Sequence, residues 1–238
     1  MSQFPYRDQP PAWIDGRTAE TGERERTFIR SVYAWMFGGL LLTAAAALWV
    51  VASPAMQQLI FATPLRWVLL IGEFGLVFYL SLRITKMSPA AAASAFLVFA
   101  LLNGLTLSAI FFVYKIATIQ MAFFSAAGMF GAMSVYGMVT KRDLTSWGSF
   151  FFMGLIGIVI ASVINIFLKS SALGFAVSLI GVFVFVGLTA YDTQKLKTYA
   201  TAPQLRENLA VYGALALYLD FINLFLMLLR LFGGNDRR

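Results

Sequence analysis

The chain has 238 residues, of which 60% are hydrophobic and 12% charged, against about 25% charged in soluble proteins. No water-soluble domain buries that much apolar surface, so the class is a polytopic membrane protein. Cysteine and histidine are both absent, which excludes disulfides, thiol nucleophiles and thiolate or imidazole metal sites and leaves proton sensing to carboxylates. The net charge of +7 comes from dispersed basic residues; it fits lysine and arginine held at cytoplasmic loops and speaks against nucleic acid as a partner.

Residues 1–30 are polar, with prolines at positions 5, 10 and 11. They read as a flexible cytoplasmic tail, followed by a transmembrane domain over 31–238. An alternative, cleavage of a signal peptide at "VVASPA" (50–55), is weakened by the length of the apolar stretch before it. Apolar segments then follow at 31–52, 66–84, 90–113, 116–139, 148–168, 172–194 and 208–232. Each is close to the ~20 residues that cross a bilayer as a helix. The expected fold is all-α, a bundle of seven transmembrane helices.

Lysine and arginine asymmetry orients the bundle. With the N-terminus inside, the inner segments hold Arg7, Arg17, Arg24, Arg26, Arg30, Arg83, Lys86, Lys141, Arg142, Lys195, Lys197 and Arg206, and the outer side holds Arg66, Lys115, Lys169, Arg230, Arg237 and Arg238. The bias favours N-inside, C-outside. The arginines near the C-terminus support a second reading, in which the last segment re-enters and both ends lie inside. Small residues recur at helical spacing, Gly128, Gly131 and Ser134 in one segment and Gly154, Gly157 and Ala161 in the next. They read as surfaces for close helix packing.

All but three of the eleven acidic residues lie in tails or loops; Glu73, Asp192 and Asp220 lie within apolar segments. A charge at the bilayer centre costs ~2.5–3.5 kcal/mol on insertion scales, so such residues face the bundle interior or a wet cavity and usually have a function. The plainer readings are an interfacial Asp192 paired with Lys195 three residues on, and a protonated, hydrogen-bonded Glu73. In the last segment Tyr212, Ala216, Asp220, Asn223, Met227 and Arg230 form one helical stripe. That places Asp220 and Asn223 toward the protein, with leucines and phenylalanines toward lipid. Asp192 shares a mixed stripe with Thr189, Phe185 and Gly181, so its facing stays open. Asn103, Thr106 and Asn165 read as interhelical hydrogen-bonding residues.

Asp192 and Asp220 lie on consecutive, antiparallel spans. Their depths differ: Asp220 is central in its span, whereas Asp192 lies ~13 Å inward of the centre of its own at 1.5 Å per residue. If they meet, two carboxylates in a low dielectric share one proton. Protonated, the pair clasps its helices; ionised, it repels and offers hard oxygen ligands suited to Ca²⁺. Arg83 reads either as a counter-charge or latch, or as a positive-inside anchor. Glu73, Asn103 and Asn223 are secondary polar candidates.

The stretches "VFVGLTAYDTQKLK" (184–197), "ALALYLDFINLFLMLLRLFG" (214–233) and "GMFGAMSVYGMVTKRDLTSWG" (128–148) resemble the Bax inhibitor-1 family, in particular its bacterial inner-membrane members. The resemblance covers nearly all of the chain after the tail. It implies seven helices with the last one central and the other six around it. It also implies a pH-sensitive calcium leak, opened and closed by an aspartate pair matching Asp192 and Asp220, with an arginine latch at or near Arg83. On this reading the partners are the lipid bilayer, Ca²⁺ and protons; there is no cofactor, Ca²⁺ being the permeant ion, and the protein is not an enzyme. Two other functions compete. One is a regulator of membrane proteins or of a membrane-bound protease, working through the tail. The other is an intramembrane aspartyl protease, for which "AYD" (190–192) fits, while "YLDF" (218–221) replaces a glycine-flanked aspartate and no "PAL" motif accompanies it.

Overall fold

A computed structural model describes residues 12–200 and 208–234, with side chains from residue 22 onward. The described residues are helical: α1 Ala12–Ala52, α2 Pro54–Phe61, α3 Leu65–Arg83 continued by a 3₁₀ turn Ile84–Lys86, α4 Pro89–Leu107, α5 Ile110–Val113, α6 Ile116–Val139, α7 Thr145–Leu168, α8 Ser171–Ala200 and α9 Asn208–Phe232. Seven spans are long and apolar enough to cross a bilayer, with α4 and α5 forming one of them.

Local chemistry sets the breaks. Two Ser-Pro pairs start helices: the hydroxyl of Ser53 accepts from the Met56 amide at 3.4 Å and that of Ser88 from Ala91 at 3.3 Å, each with proline in the first turn. "VVASPA" is therefore the junction between α1 and α2. The helix before it belongs to the core, since Val32 and Val50 are fully buried. Lys169 ends α7 in the left-handed region (φ 49°).

The boundary of the polar tail lies earlier than residue 30. Helix α1 begins at Ala12, and Phe28 is buried in the same core as Val32, one turn on. The segment "ERERTFIR" (23–30) is built of good helix formers, so once Phe28 finds apolar partners the helix propagates. Residues 1–11 lie outside the described ones.

Helix α9 is the axis. It packs against α1, α4, α6 and α8, and its apolar residues are buried on every side, among them Leu217, Tyr218, Phe221, Leu224, Phe225 and Leu228. This corrects the expectation of a lipid-facing leucine–phenylalanine side; the central last helix holds. The other six helices are not equivalent around it, because α3 packs mainly on α4 and α7 mainly on α8. Helix α9 is also continuous over 25 residues, about 37 Å at 1.5 Å per residue. That is long enough to span, and it removes the re-entrant reading. With seven spans among the described residues, the start of the first span and the end of α9 lie on opposite sides.

The outer helices α3, α6, α7 and the first half of α8 carry exposed large apolar side chains, such as Ile71, Phe124, Phe167 and Phe183, which a bilayer would cover. The small-residue stripes are only partly packing surfaces. A side chain at Gly128, Gly131 or Gly157 would meet nothing, whereas Ser134 is buried and Gly154 touches Val184. Close backbone approach happens elsewhere. A Cβ at Gly137 would lie 2.4 Å from the Ala190 carbonyl oxygen, and one at Gly104 would lie 2.4 Å from that of Thr43. These two glycines seat α6 against α8 and α4 against α1.

Candidate functional site

The sixth span continues to Ala200, six residues past the limit read from hydropathy. "TQKLKTYA" (193–200) is too polar to score as membrane, but its polar groups have partners. Gln194 donates to the Arg142 carbonyl at 2.8 Å and accepts from the Leu144 amide at 2.8 Å; Lys197 donates to the Met138 carbonyl at 2.7 Å. The extra turns move Asp192 into the protein, eight residues (about 12 Å) from the end of α8, while Asp220 stands twelve residues (about 18 Å) from either end of α9.

The two aspartates meet. Their carboxyl groups lie side by side at one cavity, close enough to interact directly. Asp220 is buried, 5% exposed, and Asp192 is partly open to a cavity. A hydrogen bond between two carboxyls needs a proton on one partner, so carboxyls placed this way can share one. Asp220 Oδ2 is buried and accepts from no donor among the described residues. The cavity, of about 720 Å³, is lined by Tyr191, Asp192, Lys195, Tyr212, Asp220 and Asn223 together with Ser81 of α3, Ser149 of α7 and apolar residues of α7, α8 and α9. Of the stripe read from the sequence, Tyr212, Ala216, Asp220 and Asn223 reach it, whereas Met227 and Arg230 do not. Asn223 turns back to donate to the Leu219 carbonyl at 2.8 Å, so it lines the cavity without binding the aspartates.

Arg83 is not brought to the pair. It lies exposed at the end of α3, outside the cavity lining, because the arginine side of that turn faces away from the bundle while Leu80 and Ile84 face in. Lys195 is the basic residue there. It interacts electrostatically with Asp192 without an ion pair, its ammonium lying over the rings of Tyr191 and Tyr199 instead. The i to i+3 spacing exposes Lys195 to view; its seating on tyrosines four residues before and after it also follows from helical spacing.

Glu73 and Asn103 belong to a separate network on the far side of α9, since Tyr218 lies two residues, or 200°, from Asp220. The Asn103 amide donates to Glu73 Oε1, and Thr106 donates to Oε2 at 2.8 Å. Tyr218 donates to Asn103 Oδ1 at 2.9 Å and lies 2.6 Å from the hydroxyl of Thr43, which donates to the Ala100 carbonyl at 2.8 Å. This ties α1, α3, α4 and α9 together. Asn165 accepts from the Ser170 amide at 3.0 Å, a helix-end bond within its own turn and not an interhelical one. No group of three or more acidic residues capable of holding a metal occurs among the described residues. Asp192 and Asp220 supply two carboxylates, at most four hard oxygen donors, enough for transient contact with Ca²⁺ and too few for the usual six to eight ligands.

Comparison with known proteins agrees with this architecture. The family model of the inhibitor of apoptosis-promoting Bax1 matches residues 25–237. The chain belongs to the Bax inhibitor-1 family. Among its bacterial relatives, the inner membrane protein YbhL of Escherichia coli K12 is 52% identical over 99% of this chain and 100% of its own length. An uncharacterized protein of Deinococcus radiodurans is 43% identical, covering 92% and 94% respectively. An uncharacterized membrane protein of Streptococcus pyogenes serotype M3 is 47% identical over 69% and 72%. This Bax inhibitor-1 family member is a multi-pass protein of the inner membrane, with its seven spans embedded in the lipid bilayer.

Proposed function

We propose that the protein is a cation leak channel, with calcium among its cargo, that is closed by protonation of Asp192 and Asp220 and opens as they lose it. The observation that supports it most is the juxtaposition of the two carboxyls, one on each of the last two helices, at a single cavity. In acid the shared proton joins α8 to α9. Loss of that proton leaves two like charges side by side in a low dielectric. The helices are then pushed apart and the cavity gains oxygen ligands for a hard cation. An isolated anion pair at this depth would be expensive to maintain; water, Lys195 or the passing cation would offset it. The protein acts as a conduit, with no chemical step and no cofactor.

An aspartyl protease would also bring two aspartates together, which keeps that reading in view, although the sequence lacks its companion motifs. A regulator of membrane proteins, or of a membrane-bound protease, would work through the N-terminal segment. Reconstitution into vesicles separates the three. A channel gives Ca²⁺ flux that is larger at neutral than at acid pH, and Asp220→Asn flattens the profile. A protease gives cleaved products lost in the same variant, and a regulator gives a cellular phenotype that survives Asp220→Asn and vanishes on deletion of residues 1–25. A pH profile that Asp220→Asn leaves unchanged defeats the channel proposal.

A further inference from the structure

Tyr191, Lys195 and Tyr199 follow one another at four-residue intervals on α8 and form one stripe. The Lys195 ammonium lies 5.7 Å from the centroid of the Tyr191 ring and 5.8 Å from that of Tyr199, within cation–π range. Tyr199 leans on Tyr212 of α9, ring to ring at 6.2 Å. The ammonium also interacts electrostatically with Tyr212 and Asp192. The tyrosines thus hold a positive charge near the aspartate pair but short of direct contact with it.

Lys195 faces two cavities. One holds the aspartates. The second, of about 410 Å³, is lined by Lys141, Arg142, Asp143, Gln194 and Thr198 and lies at the α6–α7 connection, the side assigned to the cytoplasm by the basic-residue bias. Tyr191 and Lys195 line both, and Lys195 is the one charged residue that does so. The other groups facing the second cavity are committed or add positive charge. Asp143 accepts from the amide and hydroxyl of Thr145, and Gln194 is bonded at both ends to the loop backbone. A cation moving along this face of α8 between the two cavities would pass the ammonium.

We propose that Lys195 is a tethered counter-cation of the aspartate pair, a fixed positive charge at the junction of the two cavities that weakens and so limits divalent-cation binding by Asp192 and Asp220. The inference rests on the pair being the cation site of the proposed leak. A lysine suits the task because its ammonium is a compact point charge on a flexible stem. The ring contacts keep it in place without neutralising it, and its repulsion of an arriving divalent ion is felt strongly in a poorly screened site.

The test is binding of Tb³⁺, an oxygen-seeking ion whose luminescence is sensitised by nearby tyrosine, to the full chain in detergent micelles. Lys195→Gln is expected to bind Tb³⁺ on the order of tenfold more tightly than the unsubstituted protein, with Ca²⁺ displacing it. Lys195→Arg, which keeps the charge, is expected to stay within about twofold. Lys195→Met gives the same reading as the glutamine variant should that one aggregate. Asp220→Asn in each background is expected to abolish the signal, which places the probe at the pair. Equal affinity in the neutral variants and the unsubstituted protein overturns the proposal, as does an arginine variant that binds as tightly as the neutral ones. Calcium flux in vesicles is read alongside. Absent flux together with Tb³⁺ affinity that depends on Lys195 charge defeats the leak reading and supports the counter-cation role.

Discussion

Tyr218→Phe removes one oxygen atom from the centre of the bundle, and its cost can be worked from the hydrogen-bond geometry. Tyr218 is fully buried and edge-on to Phe96 and Phe99, so the ring stays seated when the hydroxyl goes. Three contacts surround that hydroxyl and its partner: Tyr218 to Asn103 Oδ1 at 2.9 Å, Thr43 to the Ala100 carbonyl at 2.8 Å, and Tyr218 to Thr43 at 2.6 Å. Two hydroxyl protons serve all three. With the tyrosine proton given to Asn103 and the threonine proton to Ala100, none is left over for the shortest contact. Tyr218→Phe therefore deletes one full hydrogen bond, worth about 0.6–1.7 kcal/mol between membrane helices. It also strands Asn103 Oδ1, which raises the expected loss to about 1.5–3 kcal/mol. Thr43→Val frees only a helix carbonyl that already has its backbone partner, and is expected to cost about 0.6 kcal/mol. The assay is reversible unfolding in mixed micelles of both single variants and the double. The coupling between them is expected to stay below about 0.6 kcal/mol. A coupling larger than the Thr43→Val effect itself would show a proton lying between the two hydroxyls and refute the assignment; a Tyr218→Phe variant as stable as the parent would refute the network's energetic role.

Two further predictions follow from the packing and the loop. Gly137→Leu drives a side chain into the Ala190 carbonyl, 2.4 Å from where its Cβ would stand, and should lower unfolding stability by about 1–3 kcal/mol; Gly131→Leu, which meets open space, should leave it unchanged in the same measurement. Asp143 is held below its ordinary carboxylate range by the hydroxyl of Thr145 and then by its amide. A depressed carboxylate contributes while ionised and loses that contribution only as pH falls through its lowered value. It therefore stays ionised throughout the mildly acid range, and Asp143→Asn should leave the pH profile of ion flux in vesicles where it was; a displaced midpoint would make Asp143 part of the sensor.

The spans are legible in the sequence because long apolar runs have no alternative use, and Asp220 stands out because it is the one charged residue between 208 and 229. Asp192 is harder to place. Hydropathy ends its helix at 194, since Gln194, Lys195 and Lys197 count as polar whether or not they are hydrogen-bonded, and their partners Met138, Arg142 and Leu144 lie about fifty residues away. Arg83 misleads for the opposite reason. Its position at a helix end suits both a latch and an anchor, and only the rotation of α3, set by burial of Leu80 and Ile84, separates them. The all-round burial of α9 is equally hidden, because an apolar face toward lipid and one toward protein share the same composition. The glycines that seat neighbouring backbones, Gly104 and Gly137, carry no pattern that distinguishes them from Gly128 and Gly131.

The most direct test of the shared proton is infrared difference spectroscopy of the purified protein, titrated from acid to neutral pH with the carboxyl band followed in wild type, Asp192→Asn and Asp220→Asn. A protonated-carboxyl band that fades at the same midpoint at which Ca²⁺ flux rises, and that both substitutions remove or displace, is the predicted result. A band that either variant leaves untouched, or the absence of any titrating carboxyl over the range in which flux changes, would contradict it.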